Sequence, residues 1–296
     1  MKKTNLLIVA WAVALASCEK PIVTDELLVE EDDPDNPTEQ VETKRFTFTV
    51  KGDFASPTMR GYLTADDNQM TDLWVYDFVG SECVQSIHQS NTDADWGVPQ
   101  MQLQYGTHHV YFVASRGTEP TVDDAAKTIS WSKPSDTFWK DYEVTVVSTS
   151  NGNRAVTLDR VVSKLKITPT DEVPDGIATL SITPATWYAG LNYTTGEPAG
   201  VLSSVERSVN VPSTYIGTTG TLSMSIFGFC PATEWTTDLT LTAKDGTGAS
   251  MGTAVIHDAP FRRNRVTEYS GGLFAVLTQM GVSVDDEWAT PFQGTW

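Results

Sequence analysis

The chain has 296 residues and a formal net charge of −18, with 38 acids against 20 lysines and arginines, a balance that repels phosphate backbones. No Lys/Arg-rich stripe interleaved with aromatics runs along it, so nucleic-acid binding is disfavoured, as is electrostatic adhesion to anionic lipid. At 40% hydrophobic and 10% aromatic it has apolar material for real cores, which excludes disorder throughout, and its length suits two domains.

Met1-Lys2-Lys3, an apolar run over residues 6–16 and the end Leu15-Ala16-Ser17-Cys18 together form a lipobox. The run is too short to span a bilayer, which needs about 20 residues, so residues 1–17 read as a cleaved lipoprotein signal peptide. Cys18 then becomes the first residue, and loss of Lys2 and Lys3 takes the charge to −20. In bacterial lipoproteins such a cysteine receives a diacylglyceryl group and its amine is acylated; each buried CH₂ contributes about 0.8 kcal/mol, so several chains anchor stably. The chain is expected to be tethered to a membrane rather than embedded in it.

Residues 18–44, rich in acids and proline and free of aromatics, read as a flexible acidic tether that self-repels and lifts a folded body clear of the membrane. The cluster Asp32, Asp33, Asp35 and Asn36 lacks the glycine and terminal glutamate of an EF-hand loop.

From Phe46 the texture turns β: Phe46, Phe48 and Val50 alternate with Thr47, Thr49 and Lys51. Residues 73–79 are apolar on both faces, as in a central strand, and pair with 83–87 across Gly80 and Ser81. Residues 101–105 and 108–114 suggest a hairpin about Gly106, and 142–147 with 154–158 another about Ser150-Asn151-Gly152-Asn153. One short helix is expected at 135–141. After a junction near Asp159, strands are expected at 160–167, 177–183, 222–229, 239–243, 251–256 and 266–277. Short, regularly spaced strands without long helical periods predict an all-β chain of paired antiparallel sandwiches, one over 45–159 and one over 160–296.

Catalytic anchors are absent from the pattern. There is no nucleophile elbow, Walker loop or dinucleotide fingerprint, and His88, His108, His109 and His257 stand in no metal-binding spacing. His108 and His109, adjacent on a strand, point to opposite faces and cannot jointly grip one metal. Asp66-Asp67, Asp93, Asp95 and Asp123-Asp124 sit among turn formers rather than as an evident acid/base pair. The reading is therefore a non-enzyme with no metal and no cofactor. Cys83 and Cys230 are about 150 residues apart in separate predicted domains and read as buried free thiols rather than a disulfide. Most tryptophans read as packing; Trp96, in a polar stretch, is the best candidate for a sugar-stacking ring.

Taken together, the lipobox Cys18, the strand at 73–79, Leu103-Gln104-Tyr105-Gly106 leading into Val110-Tyr111-Phe112-Val113-Ala114, the segment 158–167 and Phe261-Arg262-Arg263-Asn264-Arg265-Val266-Thr267 resemble the fimbrillin superfamily of Bacteroidetes, in particular its FimB/Mfa2-type fimbrial anchor lipoproteins. The resemblance spans nearly the whole chain. It implies two transthyretin-like (Greek-key) sandwiches, export to the outer membrane, and assembly with other fimbrial subunits by strand donation. In that family polymerising subunits are cut after an arginine to remove an early strand, and Arg45 and Arg60 are the candidates here; an anchor is expected to escape cutting. Candidate strand-exchange residues are Leu273, Phe274, Val282, Val284 and Trp288 near the C-terminus. The alternative function is a surface glycan-binding lipoprotein with β-sandwich modules.

Overall fold

Residues that alternate apolar and polar side chains bury one face of an extended strand, and this chain alternates through most of its length. The computed structural model describes residues 41–52, 61–62, 70–203, 206–274 and 280–285. Among these, the regular elements are strands and a 3-10 turn at Ser213–Tyr215, which makes the chain all-β as expected. In chain order the first half gives β1 (Thr43–Gly52), β2 (Gly61–Tyr62), β3 (Asp72–Val79), β4 (Glu82–Ser90), β5 (Gln100–Gln104), β6 (Gly106–Ser115), β7 (Thr118–Asp123), β8 (Thr128–Lys133), β9 (Thr137–Val146) and β10 (Asn153–Arg160). The second half gives β11 (Val162–Pro169), β12 (Ile177–Pro184), β13 (Thr186–Asn192), β14 (Pro198–Ser203), β15 (Arg207–Asn210), β16 (Met224–Phe229), β17 (Trp235–Asp245), β18 (Ser250–Phe261), β19 (Val266–Gly271) and β20 (Met280–Asp285).

The large sheet runs β2-β1-β10-β9-β6-β3-β4, with β5 added to β1. Two four-stranded sheets, β16-β11-β19-β20 and β15-β12-β17-β18, are built wholly from the second half, while β14-β13-β8-β7 takes two strands from each half. Most pairs are antiparallel, but β1 lies parallel to β10 and β11 parallel to β19. The first strand of each half is thus held against a late strand of the same half.

Three apolar clusters fill the interior. One packs Phe46, Phe48 and Val50 with Val75, Phe112 and Leu158; a second packs Leu165, Leu180, Trp187 and Leu241. The third lies between sheets of both halves and contains Trp74, Tyr76, Trp131, Leu191, Tyr193 and Phe229. β3 explains its own composition: Leu73 and Val75 enter the first cluster and Trp74, Tyr76 and Phe78 the third, so both faces are dry.

Four local expectations are corrected. The helix expected at 135–141 is strand β9: Phe138 is buried in the first cluster and Trp139 packs against the third, and two neighbouring aromatics can reach opposite cores only from an extended chain. Asp136, just before the strand, pairs with Arg160. Gln100–Gln104 and Gly106–Ser115 are strands but not a hairpin, since β5 pairs β1 whereas β6 pairs β3 and β9. Gly106, at φ +136°, turns the chain between them, a conformation open to glycine. β9 and β10 pair only at Asp159–Trp139 and Arg160–Phe138, because the rest of β10 crosses to β1. The strand expected at 266–277 ends at Gly271.

Candidate functional site

β1 buries every second side chain from Phe46 to Val50. Phe46, Phe48 and Val50 are 0% exposed while Thr47 and Thr49 are half-buried, so every second side chain fills a pocket. Phe48 packs edge-on against Phe112 and Tyr142, at centroid distances of 5.3 and 6.0 Å, and lies 6.1 Å from Phe46. Burying such side chains stabilises by roughly 1.5–3 kcal/mol each. The backbone is held on both sides: residues 47–52 pair with β10, residues 43–47 with β5, and the Phe48 and Val50 N–H groups donate to Pro99 O (3.0 Å) and Gly97 O (2.9 Å). At its entry, a Cβ on Gly152 would collide with the Arg45 carbonyl, which closes the Asn151-Gly152 turn directly onto the strand. β1 thus fills the first cluster with its alternate apolar side chains while its backbone is paired on both sides.

Arg45 lies inside this strand, its backbone opposite Gln102 and its guanidinium on the Gln100 side chain. Arg60 falls outside the described residues; Gly61, the next residue, pairs with Gly52. At the other end of the chain, Leu273 is 1% exposed in the second cluster and Phe274 packs against it. Both follow the end of β19, and the Leu273 N–H donates to the Asp171 carboxylate at 3.0 Å. Val282 and Val284 lie in β20, opposite Tyr269 and Thr267, at the end of the β16-β11-β19-β20 sheet. Cys18 and Trp288 lie outside the described residues.

The four histidines each sit beside an aspartate, which follows from the acid excess. His88 meets Asp72 at 2.9 Å, His109 meets Asp141 at 3.0 Å and His257 meets Asp238 at 3.2 Å, all partly exposed. The Asp238 carboxyl is held below its ordinary value, first by the Asp258 N–H and then by His257. His108 and Asp77 form a fully buried pair, 2.7 Å from Nδ1 to Oδ1. The adjacent histidines thus point to opposite faces. Among the described residues, no group of three His, Cys, Asp or Glu could hold a metal ion. Asp93 and Asp123 accept turn N–H groups from Ser90 and Ala126, as turn acids do. Asp66 and Asp67 lie outside the described residues. Cys83 and Cys230 form no disulfide; Cys230 is buried as expected but Cys83 is half-buried, and burial pushes the Cys230 thiol up to about 12. No described tryptophan is exposed; Trp96 is half-buried, and Tyr105 is the exposed aromatic among the described residues.

Sequence reading missed a junction clasp. Arg160 grips Asp136 through two bonds of 2.6 and 2.9 Å and reaches Asn264 Oδ1 at 2.8 Å, while Asn264 N–H donates to Val162 O at 2.9 Å. Arg263 donates to the Cys230 and Gly196 carbonyls and to Glu197. The segments 158–167 and 261–267, both singled out in the sequence, therefore meet in space. With about a hundred residues between them, no local pattern could reveal that contact.

The fold is similar to those of β-rich proteins already solved from Bacteroidetes. It is similar to a candidate adhesin from Bacteroides ovatus (13% identity, TM-score 0.51, covering 87% of this chain and 98% of the other). It is also similar to candidate polysaccharide-binding proteins (DUF1812) from Bacteroides thetaiotaomicron (11% identity, TM-score 0.53, 84% and 98%). The fimbrial anchor protein Mfa2 from Porphyromonas gingivalis matches at 7% identity with a TM-score of 0.48 (82% and 96%). At these identities the likeness is one of fold. No curated protein matches the chain. The model of DUF6562, a family of unknown function, matches residues 107–295, and the chain belongs to that family.

Proposed function

We propose that this chain is an outer-membrane lipoprotein, acylated at Cys18, that acts as a fimbrial anchor or minor subunit and joins other fimbrial subunits by β-strand donation. The observation that carries the reading is β1, an edge-to-edge paired strand whose alternate side chains Phe46, Phe48 and Val50 fill one continuous apolar groove. The lipobox and the acidic tether supply a route to the surface, and the likeness of fold to an adhesin candidate agrees with a place there. The C-terminal segment that includes β20 is the proposed donor or docking element. The division into domains at 45–159 and 160–296 belongs to the same reading, as does the absence of any catalytic role.

Glycan binding is the second reading, favoured by the likeness of fold to polysaccharide-binding candidates. It ranks lower because exposed aromatics do not cluster on the described surface, where Tyr105 stands alone. Mass spectrometry of purified native surface fibres tests the choice: the chain should be present at low stoichiometry. Its absence from fibres, with binding of the purified protein to a polysaccharide, would favour the second reading.

A further inference from the structure

His108 and Asp77 are the most deeply buried ionisable pair among the described residues, and no part of the proposed assembly role uses them. Both side chains are at most 1% exposed, on β6 and β3, at the edge of the cluster that encloses β1. His108 Nε2 lies 2.8 Å from the Gln104 carbonyl, which only accepts, so Nε2 carries hydrogen. Nδ1 and Asp77 Oδ1, 2.7 Å apart, then share a single proton. Gln104 is the last residue of β5, opposite Thr43 of β1, and the next N–H, that of Tyr105, donates to Glu42 O at 3.1 Å. The imidazole therefore fastens the corner where β5 leaves the first strand.

We propose that Asp77 and His108 form a one-proton clasp that pins the end of β5 to β6 and so holds β1 in its groove, loosening when the pair gains or loses a proton. Losing the proton sets a carboxylate against an imidazole lone pair in a dry core. Gaining a second one leaves a buried imidazolium beside a neutral acid, whose new hydroxyl at Oδ2 has no acceptor, since Oδ2 has no hydrogen-bond partner. Surrounding groups do not compensate. Among the described residues the other buried carboxylate is Asp136, which Arg160 holds, and Tyr142 is the titratable side chain packed on the same cluster. Gln85 of β4, opposite Asp77, is uncharged. Charged residues of the strands packed here, Glu82 on β4, Lys44 and Arg45 on β1, Glu143 on β9 and Arg154 on β10, are exposed or half-exposed. His109 and Asp141 face the other side of the sheet. Burial raises the Asp77 carboxyl above its ordinary value against the opposing effect of His108, consistent with a proton retained by the pair.

The sign follows from the unfolded values, about 3.9 for Asp and 6.5 for His. Between them the open and closed pairs hold one proton each and the clasp is strongest. Above about 6.5 the open pair releases its proton while the closed pair keeps one, so closure weakens as pH rises; below about 3.9 the open pair takes a second, so closure weakens as pH falls. The meaning given to a loosened β1 rests on the proposed strand-exchange role, but the clasp can be read without fibres.

Hydrogen exchange of the purified mature chain tests it, corrected for the intrinsic pH dependence of exchange. From about pH 5.5 to 8.5 the protection of the Phe48 and Val50 amides and of β5 should fall, by up to about ninetyfold where the closed pair keeps its proton throughout, while that of β11 stays constant. In Asp77→Asn, whose carboxamide N–H donates to Nδ1 at either pH, the fall should vanish. Unchanged β1 protection in the native chain overturns the clasp whether or not the variant folds, and so does an identical fall in Asp77→Asn. Either result leaves the fimbrial reading standing.

Discussion

Arg160 and Asp136, each with side chains about 8% exposed, tie the loop before β9 to the end of β10, and their value lies in being paired. Removing one partner strands a buried charge, so Arg160→Ala should lower the unfolding free energy by about 3–5 kcal/mol in urea titration, and the double variant with Asp136→Ala should recover part of that loss. Phe48 is a packing case. Phe48→Ala leaves a cavity among Phe46, Phe112 and Tyr142 and should cost about 3–5 kcal/mol in the same assay. Cys230 is a titration case. Burial moves its thiol from an ordinary value of about 8.5 up to about 12, so the unfolded chain ionises first and stability falls as pH rises through that interval. Cys230→Ala should flatten this alkaline loss, and a thiol reagent at neutral pH should reach Cys230 only after denaturation.

At the scale of elements, β1 and β20 carry the assembly argument. Because Arg45 sits in a strand paired with β5 and followed by pairing with β10, limited trypsin digestion of the folded chain should leave the Arg45–Phe46 bond intact. Early cleavage there would mean that β1 opens readily. The strands themselves were legible where composition answered to burial. The doubly apolar run at 73–79 is β3, dry on both faces, and the alternation from Phe46 is β1. Pairing was less legible, because hairpins are the local default and this fold departs from it twice: β5 leaves β6 for β1, and β10 leaves β9 for β1. The parallel contacts of β1 with β10 and β11 with β19 leave no local signature at all. The short helix expected at 135–141 gives way to a strand because tertiary burial of Phe138 overrides local preference. The His108–Asp77 pair was hidden for the same reason, since 31 residues separate its members.

For the whole molecule, we propose that a lipid at Cys18 fixes a strand-exchanging body to the outer membrane and thereby fixes a fibre. Three apolar clusters fill its interior, one in each half and one shared between sheets of both. Cells producing the native chain or Cys18→Ala offer the most direct measurement: quantify fibres on cells and in the medium, and ask whether the chain accompanies them. The account predicts that native cells retain fibres containing the chain, whereas Cys18→Ala releases the chain from the membrane fraction and sheds fibres that still carry it. Membrane association and fibre attachment that are both unchanged by the substitution would contradict it.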